Sequence, residues 1–223
     1  MRTLTVTGEG TLKLRPDTMR LMMTVNGQGK AYGACLKKAE KAMQELLSLL
    51  ESIGFARTDL KTLDFWVRPE YKSCKKGDSA ETSRTVLVGY RSVQEAKLEF
   101  PMDNARLGRI LTGIAEQNLP VEVEIDFILA DEGAARNRVL AKAVEDARTK
   151  AQVLATSAGT SLGKILSITY AWGRVDLEIK SWQDEELFAC CTGKKMDFAF
   201  EPDDITASDH VTLVWAIGEE PQR

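Results

Sequence analysis

Apolar and polar residues alternate from the start of the chain. Leu4 and Val6 stand between Thr3, Thr5 and Thr7, the two-residue period of a half-buried strand. After Pro16, the residues Met19, Leu21, Met23 and Val25 alternate again. Gly8 and Gly10 read as a bulge or bend between strand segments, and no helix follows them to make a phosphate cradle. From Ala31 to Ile53 the period changes to three and four, with Cys35, Leu36, Ala39, Met43, Leu46, Leu47 and Leu50 on one stripe. Lys41 and Glu45 are spaced to pair on the wet face, and Gly54 suits a left-handed cap. Leu63, Phe65 and Val67 predict a third strand, and polar Lys72–Thr85 an exposed loop.

Val86–Phe100 reads as a long strand, with Tyr90, Ala96, Leu98 and Phe100 on one face and Arg91, Glu95, Lys97 and Glu99 on the other. Asp103 is placed to cap a helix carrying Leu107, Ile110, Leu111 and Ile114. Val121–Leu129 alternates against Glu122, Glu124 and Asp126, so one face of that strand should meet water. Asp131 opens a long helix to Ala158 with a stripe of Leu140, Ala143, Ala147, Ala151, Leu154 and Ala158. Alanine on that stripe lets a helix lie close to a sheet. Leu166–Trp172 and Val211–Ile217 are further strands, with short ones expected near Leu177–Ile179 and Phe198–Phe200. Helices and antiparallel strands mix without βαβ repetition, which predicts an α+β fold.

Composition changes little. The 223 residues are 43% hydrophobic and 28% charged, with a formal charge of −3, so nothing favours nucleic acid or an anionic surface as partner. No apolar run is long enough to cross a membrane as a helix. The chain begins directly on a strand and reads as cytoplasmic, or as periplasmic if a leader has been removed. Cys35, Cys74, Cys190 and Cys191 show no CxxC spacing and read as free thiols, with no metal or cofactor implied.

Candidate chemistry is sparse. His210 is the only histidine, next to Asp209; the pair has a base's composition, but no nucleophile accompanies it, and a surface strand-edge histidine is the simpler reading. Cys190 and Cys191 suit either a redox pair or two small apolar residues. Glu122, Glu124 and Asp126, and Asp203 with Asp204, are spaced as wet faces rather than as a calcium site. Trp66 is out of phase with its apolar neighbours and Trp182 lies in a charged stretch, which makes these two the candidate interface residues. Trp172 and Trp215 fall on core phase.

Four stretches carry a likeness: "LTVTGEGTLKLRPDTMRL", "DLKTLDFWVRPEY", "GYRSVQEAKLEF" and "AKAVEDARTKAQVLATSAGTSLGKILSI", joined by the closing "ITASDHVTLVWAIG". In this order they resemble the SIMPL-domain family. The resemblance implies two intertwined α+β subdomains, with mixed or antiparallel sheets backed by helices and the closing strand paired near the opening one. The expected bounds are 1–88 with 200–220, then a ferredoxin-like 89–172, with 173–199 an irregular insertion. It also implies an envelope location for many members and links to stress response or signalling for some; it supplies no catalytic residue. The resulting expectation is a non-enzymatic module that self-assembles as a homo-oligomer or meets a protein partner. The alternative is a small-ligand binder or enzyme with a cleft between subdomains, drawing on Tyr71, Tyr90 or Asp209.

Overall fold

The structure, a computed structural model, describes residues 2–75, 83–170, 176–177 and 200–219. Its elements run β1 (Arg2–Leu14), β2 (Thr18–Gly29), α1 (Tyr32–Ile53), β3 (Lys61–Lys75), β4 (Ser83–Pro101), α2 (Asn104–Glu116), β5 (Val121–Ile128), α3 (Glu132–Ser157), β6 (Thr160–Thr169), β7 (Asp176–Leu177) and β8 (Ile205–Glu219). They build two antiparallel sheets, which makes the chain an α+β protein. The strands expected at Ile179 and Phe198 lie outside the described residues.

The described residues divide into two compact units interleaved along the sequence: 2–17, 128–170, 176–177 and 202–219, and 18–75, 83–127 and 200–201. This differs from the bounds expected from sequence, which broke the chain at residue 88. The reason is β4. Its whole length serves one sheet, paired with β2 on one side and β3 on the other, so no seam runs through it.

In the first unit the strand order is β1-β8-β6, with the two-residue β7 also on β8. The opening and closing strands pair throughout, from Arg2 opposite Ile217 to Leu14 opposite Ile205. The register passes Gly8 and Gly10 without a shift, so the expected bulge is absent. The glycines serve the helix instead. A Cβ on Gly8 would stand 2.1 Å from the Ala143 carbonyl oxygen, and one on Gly10 2.1 Å from that of Val139. Helix α3 rests on the strand's backbone, presenting Ala135, Val139, Ala143, Ala147, Ala151 and Ala155. That stripe is shifted from the expected one, and Leu154 is exposed. Val6, Val211, Leu213 and Trp215 complete the core.

In the second unit the order is β3-β4-β2-β5. Helix α1 packs on β2 and β4, and α2 packs on α1. Met19, Leu21, Met23 and Val25 point into this layer, meeting Leu46, Leu98, Leu107 and Ile110. The Asp103 carboxylate accepts from the Arg106 N–H at 2.9 Å, capping α2, and Asp131 likewise caps α3 through Ala134 at 2.8 Å. Gly54 closes α1 at φ 99°, the left-handed cap its position calls for.

Both ends of the loop expected at Lys72–Thr85 are strand: Lys72 pairs with Val86 and Lys75 with Ser83, and residues 76–82 lie outside the described residues. Backbone pairing in a hairpin tolerates polar side chains, so composition misplaces its end. No helix packs extensively on β3, and the core phase expected there is overturned: Leu63 is 49% and Phe65 47% exposed.

Candidate functional site

The sequence-derived candidates do not converge. Asp209 is half-buried on β8 and accepts a hydrogen bond from the Tyr170 hydroxyl at 2.9 Å. That hydrogen bond holds the Tyr170 phenol above its ordinary pKa. Asp209 also accepts from the backbone N–H of His210 at 2.7 Å. His210 itself is exposed, opposite Glu9. The carboxylate is thus committed to a tyrosine, and no Asp–His pairing through the imidazole is formed. Trp182, Cys190 and Cys191 lie outside the described residues, as does Trp172. Cys35 is buried in α1 with its thiol 3.5 Å from the Gly27 carbonyl.

Trp66 is half-buried rather than fully exposed, because the Arg68 guanidinium lies over its ring at 4.5 Å. Its neighbours are the more open side chains. The second unit's outer hairpin exposes Leu63, Phe65, Tyr71, Val86, Leu87 and Val88. In the first unit the edge strand β6 exposes Ile165, Leu166 and Ile168. The opposite edge, β1, is treated differently. The Asp146 carboxylate on α3 accepts from the Glu9 N–H at 2.8 Å, and Lys142 donates to the Thr11 carbonyl at 2.8 Å. Lys150 holds Asp146 at 2.7 Å. Hydrogen bonds from Lys150 and Glu9 keep the Asp146 carboxyl below its usual range. Helix side chains therefore satisfy backbone groups that an open edge would offer to another strand.

The sheet face of the second unit that turns away from its helices carries charge. Arg20 and Lys97 both reach Glu99, at 2.7 Å and 3.2 Å. Burial pushes the Glu99 carboxyl up, but these two hydrogen bonds outweigh it and leave it below its usual range. Asp126 is half-buried there, not on the fully wet face expected from sequence. Burial raises its pKa, Glu124 adds to the rise, and Arg20 opposes it.

A cavity of about 710 Å³ opens in the second unit where β2 runs past the start of β5. The Asn26 N–H donates to the Pro120 carbonyl at 3.0 Å, and β2 continues beyond that bond to Gly29. Its charged lining is Lys38, Lys41 and Glu45 of α1, Arg91 of β4 and Glu122 of β5. None of Tyr71, Tyr90 and Asp209 lines it. Among the described residues no group of three or more His, Cys, Asp or Glu side chains is placed to hold a metal ion.

These features define a two-sheet α+β protein whose exposed chemistry lies on strand edges and one polar notch. The chain belongs to the SIMPL family, described as a protein of unknown function (DUF541), which it matches over residues 4–215. It is similar to the 26 kDa periplasmic immunogenic protein of Brucella melitensis biotype 1, at 26% identity over 166 residues, 74% of this chain and 65% of that one. It is also similar to the uncharacterized protein YggE of Escherichia coli strain K12, at 22% identity over 167 residues, 75% of this chain and 65% of the other. YggE of Edwardsiella ictaluri is 23% identical over 163 residues, 73% of this chain and 65% of its own length. The chain thus matches just under two thirds of the length of these relatives.

Proposed function

We propose that this SIMPL protein is a non-catalytic module that self-assembles through its open strand edges. One observation carries this reading: large apolar side chains are exposed on β6 and on the β3–β4 hairpin, while on β1 the Glu9 and Thr11 backbone groups are taken by Asp146 and Lys142. A folded chain that shields part of one edge and leaves apolar residues on others has surfaces suited to pairing with further copies. Trp66, stacked under Arg68, stands beside Phe65 and belongs to the same surface. A periplasmic setting fits the name of the Brucella relative. No helix among the described residues is long and apolar enough to cross a membrane.

Sedimentation velocity over a wide concentration range tests the assembly. Discrete higher-order species are expected, and Ile168→Lys together with Phe65→Lys should shift them toward monomer. A strict monomer at every concentration, or assembly indifferent to both substitutions, would sink the reading. Release of the native gene product by osmotic shock tests the location, and retention with cytosolic markers would overturn it.

A further inference from the structure

The notch beside β2 is lined by three cationic side chains, Lys38, Lys41 and Arg91, against two carboxylates, Glu45 and Glu122. Arg91 is half-buried on β4 and forms no ion pair among the described residues. Its Nη2 donates to the Asn26 side-chain oxygen at 3.1 Å, while its Nε is buried with no hydrogen-bond partner. Asn26 is committed on both sides, since its amide nitrogen donates to Glu122 at 2.8 Å. This ties the guanidinium to Glu122 through the Asn26 side chain, without a direct ion pair between the two. Across the strands Arg91 stands directly opposite Arg68, a like-charge pair that sheets disfavour. Arg68 turns onto Trp66, leaving Arg91 to the notch. From α1, Lys38 and Lys41 line the same cavity; Lys41 has Glu45 at 3.5 Å, and Lys38 forms no ion pair among the described residues.

A half-buried guanidinium without a counter-ion carries a desolvation cost that a matching anion relieves, and the planar guanidinium suits carboxylate or phosphate oxygens. We propose that this notch is a binding site for the oxyanion group of a small ligand, with Arg91 as the main contact and Lys38 and Lys41 as supporting charges. The site lies within the second unit and is independent of the self-assembly reading.

Nuclear magnetic resonance titration of the full chain tests it, with inorganic phosphate in one arm and succinate in the other, against sodium chloride at matched ionic strength. Saturable millimolar binding is expected, with shifts at the Gly27 and Gln28 amides and at the Arg91 side-chain N–H. Saturation by phosphate alone assigns a phosphorylated ligand; saturation by succinate alone assigns a carboxylate. Arg91→Gln should weaken binding by about tenfold or more, the worth of one charged hydrogen bond. Lys38→Gln with Lys41→Gln, on the exposed side of α1, leaves the fold intact and should weaken it severalfold. If Arg91→Gln does not fold, the lysine pair decides. Failure of both anions to saturate, or binding unchanged by the substitutions, overturns the site.

Discussion

The two units back a sheet with helix by different means. In the second, β2 and β4 send Met19, Leu21, Met23 and Leu98 toward Leu46, Leu107 and Ile110, so large side chains fill the space between layers. In the first, Gly8 and Gly10 give up their side chains and α3 offers mostly alanine, so backbone meets backbone. The contrast shows how one architecture can be stabilised either by volume filled or by closeness of approach. The first solution fails when atoms are removed, the second when atoms are added.

The largest expected effect tests the first half of that statement. Leu21 is fully buried, and Leu21→Ala should cost ~2–5 kcal/mol. Chemical denaturation gives the magnitude, and hydrogen exchange should place the weakened amides in β2, β4 and α1 rather than in α3. Equal weakening of α3 would break the comparison.

Gly8→Ala tests the other half. The added carbon meets the Ala143 carbonyl and the Ala147 backbone, neither of which can swing aside. A loss of about 2–3 kcal/mol is expected, with faster exchange along α3. Adding Ala147→Gly should recover little of it, because the Ala143 carbonyl remains in the way. Full recovery would show that side-chain crowding, not backbone proximity, limits the contact.

Two smaller effects sharpen the comparison by having opposite sign. Asp146 in the first unit has a depressed pKa, so its charged form stabilises the fold. That contribution is present above the ordinary aspartate pKa and disappears as pH falls through the depressed one. Asp146→Ala should therefore lower the melting temperature at neutral pH, and the gap to wild type should close in acid. Asp126 in the second unit has a raised pKa, so stability falls as pH rises from the ordinary aspartate pKa to the raised one, and the cost is complete above it. Asp126→Asn should raise the melting temperature at neutral pH, with the gain vanishing below the ordinary aspartate pKa. Melting curves across pH check both, and a shared sign would undo the distinction drawn between the two sites.

Much of the fold was legible because its signals are local. The alternation through Met19–Val25, the helical period of Ala31–Ile53, and the caps at Asp103, Asp131 and Gly54 each depend on a few neighbouring residues, and each appears as expected. The pairing of the terminal strands was implied by family resemblance rather than by any local pattern. The notch was not legible. Arg91 read as one more charge on the wet face of a strand, and nothing in its neighbourhood announces that Asn26, 65 positions away, would hold its guanidinium. The only available hint was the lack of an acidic residue beside it.

The sequence by itself determined which segments become strands and helices, because hydrophobic period and capping chemistry act over a turn or two of chain. Tertiary structure alone decided what those segments are for. Gly-Glu-Gly is the same three residues in a bulge or under a helix, and only the arrival of α3 from more than a hundred residues away selects the second. Leu63 and Phe65 have core-like spacing, yet they are exposed because no helix packs extensively on β3. Burial and charge compensation depend on what lies across the gap in space, and that partner is distant in the chain.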